Sequence, residues 1–182
     1  MIKIVGGTYR SRLILTPNEG TVPTKSMVRE AIFSALSDLI PASSCLDLFA
    51  GSGALGIEAL SRGAKQTVFV DSEPAAYLVI EKNLMTLKET KGIIIKADYL
   101  AALAKLASEK KVFDVIFLDP PYAMKDSYQE TVSFVLSHQM LSPNGAVVLE
   151  YEGTIPFEES PFLLARHYNY GRTNVLIVRR PK

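Results

Sequence analysis

From residue 44 to residue 150 the chain alternates short apolar runs with helix-length segments, and this alternation limits its fold more than any other feature. Runs such as Ile93-Ile94-Ile95 and Val115-Ile116-Phe117-Leu118 are apolar at every position. A strand with water on one face shows polar residues at alternate positions. Continuous apolar runs instead predict strands covered on both faces, as in a parallel sheet between helices. Strands are expected over residues 45–49, 67–71, 92–96, 113–119 and 146–150, with helices over 54–61, 74–87, 100–108 and 127–137. The tail adds strands over about 163–168 and 174–179, close enough in sequence to form an antiparallel hairpin. The expected class is α/β, with a doubly wound, mostly parallel seven-stranded sheet.

Residues 1–40 read differently. Two short strands, 3–5 and 13–16, flank Gly6-Gly7, and a polar linker follows over 17–23. Met27, Val28, Ala31, Ile32, Ala35, Leu36, Leu39 and Ile40 then repeat at helical spacing, with Thr24 or Ser26 near the N-cap and Pro41 as the stop. The chain thus divides into a small β-hairpin and helix extension, 1–40, and a main domain, 41–182. Charge divides it too: residues 1–30 carry net +3, 31–159 net −7 and 160–182 net +5. An acidic body with basic ends suits a localised anion-facing surface, although solubilising charge at the ends accounts for it equally well.

Composition removes several classes. Cys45 is the single cysteine, so no disulfide framework or cysteine-rich zinc site is expected, and Cys45 reads as a small core residue. No apolar run approaches the length of a membrane span, and the amino terminus lacks the apolar core of a signal peptide. A cytoplasmic protein is expected. His138 and His167 lie near no motif and read as surface or structural residues.

Two motifs carry chemistry. Asp47-Leu-Phe49-Ala-Gly51-Ser-Gly53-Ala-Leu-Gly56 follows the first main strand and opens a helix, where glycines let a backbone turn tightly against a ligand. Asp71 ends the next strand, 20 residues after Gly51, at the spacing of a carboxylate that binds both ribose hydroxyls of an adenosine. The cofactor is then a dinucleotide or S-adenosylmethionine. Asp47 favours the second, since an acid there holds an ammonium and repels a pyrophosphate. Asp98 ends the third strand beside Tyr99 and is either an acceptor for the adenine amine or a helix N-cap. Phe49 and Tyr99 complete the expected cofactor set.

The second motif, Asp119-Pro120-Pro121-Tyr122, stands at the carboxyl end of the fourth strand. Prolines donate no hydrogen bond and fix the backbone, so Asp119 and the Pro120 carbonyl can together grip both hydrogens of a planar amine. Tyr122 offers a face on which an extruded base can stack, worth about 1–3 kcal/mol.

With Asp47…Gly51-Ser-Gly53, the Asp119-Pro-Pro-Tyr122 motif resembles the class I S-adenosylmethionine-dependent amino methyltransferases, which have a Rossmann-like fold. Gly6-Gly7-Thr-Tyr9-Arg10-Ser-Arg12 and Pro23-Thr24 with Val28-Arg29-Glu30-Ala31-Ile32-Phe33 narrow the resemblance. They are similar to the bacterial 16S ribosomal RNA guanine-N2 methyltransferases acting on guanine 966, with Val22, Met27 and Ser11 departing from that pattern. The resemblance implies methyl transfer from S-adenosylmethionine, without metal, to 16S ribosomal RNA in an assembling or assembled small subunit, by a monomer. It implies RNA contacts for Tyr9, Arg10, Arg12, Lys25 and Arg29, with Arg172, Arg179 and Arg180 as possible additions. Competing readings are amino methylation of DNA adenine or cytosine, methylation of protein glutamine, a nicotinamide-dependent oxidoreductase, and an RNA-binding assembly factor without catalysis.

Overall fold

The computed structural model describes residues 1–17 and 24–182, so Val22, Pro23 and most of the expected linker lie outside the described residues. The amino-terminal part holds β1 (Ile2–Lys3), β2 (Leu13–Ile14) and α1 (Ser26–Ala35). The alternating part holds β3 (Ser44–Leu48), α2 (Ala54–Ser61), β4 (Gln66–Asp71), α3 (Pro74–Leu87), β5 (Gly92–Lys96), α4 (Tyr99–Ser108), β6 (Phe113–Leu118) and α5 (Ser127–Ser137). Three long strands close the chain: β7 (Leu141–Glu152), β8 (Phe162–Tyr170) and β9 (Thr173–Pro181).

β3 to β9 form one sheet in the order β5-β4-β3-β6-β7-β9-β8. The first five of these are mutually parallel, and β9 runs antiparallel between β7 and β8. The inner parallel strands carry near-continuous apolar runs because each face of the sheet meets its own helices; β5, by contrast, is the edge strand, and its Ile93 is 42% exposed, not covered as expected. Val115 and Phe117 of β6 face a cluster with Ile32 and Phe33 of α1, Ile57 of α2 and Ile80 of α3. Ile116 and Leu118 face the opposite cluster, with Leu103 of α4 and Val132 and Val135 of α5. Ile4 and Ile14 of the hairpin belong to the first cluster, so the amino-terminal part shares a core with the main domain.

Polar contacts fix that docking. Glu58 of α2 is buried and accepts hydrogen bonds from the Val5 N–H at 3.0 Å and the Gly6 N–H at 2.7 Å. Gly7 has φ 76°, and a β-carbon there would lie 1.9 Å from the Ser61 carbonyl oxygen. Gly7 is thus required by close approach to the last turn of α2.

Arg29 departs from expectation. It is 1% exposed, donates to the Thr24 carbonyl at 2.6 Å and the Lys3 carbonyl at 2.5 Å, and lies 3.9 Å from Glu58. An arginine so placed cannot meet a phosphate; it ties α1 to β1 and α2.

Two boundaries differ by five residues, the others by less. α1 ends at Ala35, not at Pro41, because Leu36, Leu39 and Ile40 continue in turns that keep Leu36 and Ile40 buried. Its N-cap is Lys25, since the Thr24 hydroxyl is engaged by Glu150 and the Ser26 hydroxyl accepts from Arg29. β7 starts five residues before the expected 146. A register shift lets the Pro143-Asn144-Gly145 run remain within the strand. Among the described residues no helix is long and apolar enough to cross a membrane.

Candidate active site

The carboxyl ends of the parallel strands form one edge, and β3 is where the strand order reverses, with β4 on one side and β6 on the other. Such a switch point opens a crevice for ligands. An acid stands at the end of each strand there: Asp47 in β3, Asp71 in β4, Asp98 after β5, Asp119 after β6 and Glu150 in β7.

The glycine loop is a left-handed run, with φ 71° at Phe49, 56° at Gly51 and 78° at Gly53. Phe49 carries the strain, since a side chain in that region costs of order 1–3 kcal/mol. Gly56 serves packing, because a β-carbon there would lie 2.3 Å from the Phe69 ring and push α2 off β4. The loop and its acids hold each other. Gly56 N–H donates to Asp47 Oδ2 at 2.9 Å and Gly51 N–H to Asp71 Oδ2 at 2.8 Å. Glu73 N–H donates to Asp71 Oδ1 at 2.9 Å. Each Asp71 oxygen keeps a lone pair for a further donor. Asp98 caps α4, accepting from Leu100 N–H at 3.0 Å. Tyr99 is buried, packs on Phe49 with ring centroids 5.0 Å apart, and donates its hydroxyl to Glu130.

Asp47, Phe49, Gly51, Asp71, Asp98 and Tyr99 line a cavity of about 610 Å3 that also reaches Asp119, Pro120 and Pro121; Gly53 and Gly56, expected at the cofactor, pack against Phe69 instead and are not in its wall. Its described lining holds Asp47, Asp71, Glu73, Asp98 and Asp119 and no lysine, arginine or histidine. A dinucleotide pyrophosphate finds no cation in this lining. A cationic nucleoside such as S-adenosylmethionine fits: Asp71 suits the ribose diol, Phe49 and Tyr99 the flat base, and Asp47 the ammonium.

Burial lifts the Asp47 carboxyl to about 7; the Gly56 hydrogen bond pulls against this and neighbouring Asp71 adds to it. The folded value exceeds the unfolded one. The resulting stability is therefore full below about pH 4 and lost as pH rises through about 7. Asp47→Asn keeps an acceptor for Gly56 N–H and removes that loss. Without ligand it should be more stable than the parent at pH 8 by roughly 1–4 kcal/mol, with the gain nearly gone at pH 4. Denaturant melts at the two pH values check this; an equal difference at both would contradict it.

A second cavity, of about 580 Å3, shares Asp119 and Pro120 with the first. Its walls carry Tyr122, Tyr128, Glu150 and Tyr151, and Lys25, Lys125 and Arg172 are its described basic residues. Burial drives the Asp119 carboxyl well above the ordinary carboxylate range, and the charges of Glu150 and Asp47 push it further. The Pro121 carbonyl is used by Met124 N–H at 2.8 Å, whereas the Pro120 carbonyl accepts no hydrogen bond among the described residues. Tyr122 is 71% exposed, with the Lys125 ammonium 4.6 Å from its ring centroid.

The structure thus brings Lys25 and Arg172 to the cavity beside the Asp-Pro-Pro-Tyr motif. It does not bring Tyr9, Arg10 and Arg12 there. The Tyr9 hydroxyl donates to Glu89 at 2.8 Å and Arg12 to the Thr86 carbonyl at 2.9 Å, at the end of α3 remote from Asp71. Arg179 pairs with Asp38 at 2.8 Å. Sequence reasoning missed Lys125 and Glu150. Glu150 had a readable signal, an acid ending an apolar strand like Asp47, Asp71 and Asp119.

The chain is similar to known proteins along nearly its whole length. A Bacillus subtilis protein provisionally named as the rRNA methyltransferase YlbH is 34% identical over 183 residues, 98% of this chain and 99% of its own. Ribosomal RNA small subunit methyltransferase D of Haemophilus influenzae is 37% identical over 158 residues, 85% of this chain and 81% of its own. The solved structure of an Escherichia coli chain, provisionally named as the methyltransferase yhhF, superposes with a TM-score of 0.84 at 29% identity. It covers 99% of this chain and 98% of that one. The model of the family described as Conserved hypothetical protein 95 matches residues 2–179, and the chain belongs to that family.

Proposed function

We propose that this chain transfers a methyl group from S-adenosylmethionine to the exocyclic N2 amine of a guanine in 16S ribosomal RNA, at guanine 966. The observation that carries the reaction is the shared edge of the two cavities. Asp119 and Pro120 stand between an acid-lined pocket suited to a cationic nucleoside and a second pocket where Lys25, Lys125 and Arg172 can meet phosphates and Tyr122 a base, beside the acids Glu150 and Glu152. The rRNA methyltransferases at 34% and 37% identity support the RNA substrate. The motifs around Gly6-Gly7 and Val28-Arg29-Glu30 support the position.

When bound, the cofactor supplies a methyl group already activated on a sulfonium sulfur. The residues supply position. Asp119 and the Pro120 carbonyl accept the two amine hydrogens, which turns the nitrogen lone pair toward the first cavity. Such alignment can remove about 7–11 kcal/mol of barrier. Extruding the base costs a few kcal/mol, partly offset by stacking on Tyr122. Loss of a proton from the methylated, cationic amine completes the step, and Asp119 is placed to receive it.

Residues 1–40 serve in this reading as the RNA-binding extension and 41–182 as the cofactor-binding domain, in a cytoplasmic monomer. So small a recognition region reads shape more than sequence, so the assembled or assembling small subunit is the expected substrate. Purified protein should methylate small subunits faster than naked ribosomal RNA, and duplex DNA hardly at all. Equal or better rates on naked RNA would overturn the particle requirement, and efficient transfer to DNA would overturn the RNA assignment.

A further inference from the structure

We infer that Glu150 selects guanine over the other amine-bearing bases by accepting a hydrogen bond from guanine N1–H, next to the reacting amine. The inference rests on the function proposed above and names a specificity-determining residue within that site. Its starting point is a chemical difference among the bases. The amine of adenine and that of cytosine each adjoin a ring nitrogen with a lone pair, whereas guanine N2 adjoins N1–H, a donor. An ionised carboxylate only accepts, so one placed on the N1 side of the amine, away from the N3 lone pair that also flanks guanine N2, attracts guanine and repels the other two.

Glu150 is so placed. It lines the second cavity with Asp119, Pro120 and Tyr122, and its residue is 9% exposed. Its Oε2 accepts from the Thr24 hydroxyl at 2.5 Å. Its Oε1 has no hydrogen-bond partner among the described residues. The Tyr128 hydroxyl donates to the Glu150 carbonyl at 2.5 Å, which fixes the strand end that carries it. Glu150 is therefore held at both backbone and side chain; burial raises its carboxyl, and the Thr24 hydrogen bond and the nearby Arg29 charge act against this to favour the ionised form. Glu152, the other acid of this cavity apart from Asp119, is exposed and less fixed in position.

2-Aminopurine keeps the amine but has a ring lone pair in place of N1–H and lacks the 6-oxo group, so the contact is read from how the guanine preference changes between wild type and Glu150→Gln. RNA carrying guanine or 2-aminopurine at the mapped target is ligated, reconstituted into small subunits and methylated by wild type and by Glu150→Gln. Wild type should prefer guanine by about 100-fold or more, because 2-aminopurine leaves the carboxylate unpaired. In Glu150→Gln the amide can also donate, so the preference should fall below about 10-fold. The substitution keeps shape and an acceptor for Thr24, and a melting curve confirms that it folds. An unchanged guanine preference in Glu150→Gln, even with both rates lowered alike, would overturn the inference and leave the methyltransferase reading intact. Failure of wild type to methylate the guanine substrate would overturn both.

Discussion

Asp119→Ala should lower the single-turnover rate of methyl transfer by about 100-fold or more, the scale of removing one fixed polar group from a transition state. Asp119→Asn keeps one oxygen to accept from the amine and should retain an intermediate rate. That order separates positioning from proton removal: equal loss in both variants would make Asp119 an obligatory general base. The buried setting adds a pH signature. Burial and the nearby Glu150 and Asp47 charges raise the Asp119 carboxyl well above its ordinary range, and its ionised form is the stronger acceptor for the amine hydrogen it takes and the only form able to receive the proton. The wild-type rate should therefore fall as pH drops through that raised value. Asp119→Asn, with no carboxyl there to protonate, should lack this part of the dependence.

Arg29→Ala should unfold the protein more readily, by about 3–5 kcal/mol, with little effect on the salt dependence of RNA binding. Removing one partner of a buried charged group leaves the other uncompensated. Here the Lys3 and Thr24 carbonyls lose their donor and Glu58 loses a neighbouring cation, although Arg62 Nε at 3.0 Å still pairs with it. A phosphate contact would behave oppositely, flattening the log–log salt slope by roughly 0.7–0.9 while leaving stability near that of wild type. Denaturant titration and salt-dependent binding decide between them.

The contrast between Arg29 and Asp119 shows what the sequence exposes. The run Val115-Ile116-Phe117-Leu118 states its own environment, with both faces of β6 buried, whereas the equally apolar Ile93-Ile94-Ile95 run lies in the edge strand with Ile93 exposed. The sheet, its helices and the carboxyl-end placement of Asp47, Asp71 and Asp119 were therefore legible. Arg29 was not. In a helix with a polar face an arginine looks like any surface cation, and its partners Lys3 and Glu58 lie 26 and 29 residues away. α1 was read too long for a related reason. Leu36 and Ile40 stay buried whether the chain continues as helix or as turns, so periodicity cannot locate the last helical bond. Glu150 is a third case. Its link to Thr24, 126 residues away, exists only in the fold, although its position at a strand end was available.

The central claim is that the amine gripped at Asp119 and Pro120 belongs to a guanine in ribosomal RNA. Its most direct measurement is the chemical identity of the product. Small subunits isolated from cells lacking this protein are incubated with purified protein and isotope-labelled S-adenosylmethionine. The RNA is then digested to nucleosides, the protein fraction to amino acids, and both are resolved by mass. The prediction is label in N2-methylguanosine from 16S RNA, at guanine 966; label in N6-methyladenosine, N4-methylcytidine or methylglutamine instead would contradict it.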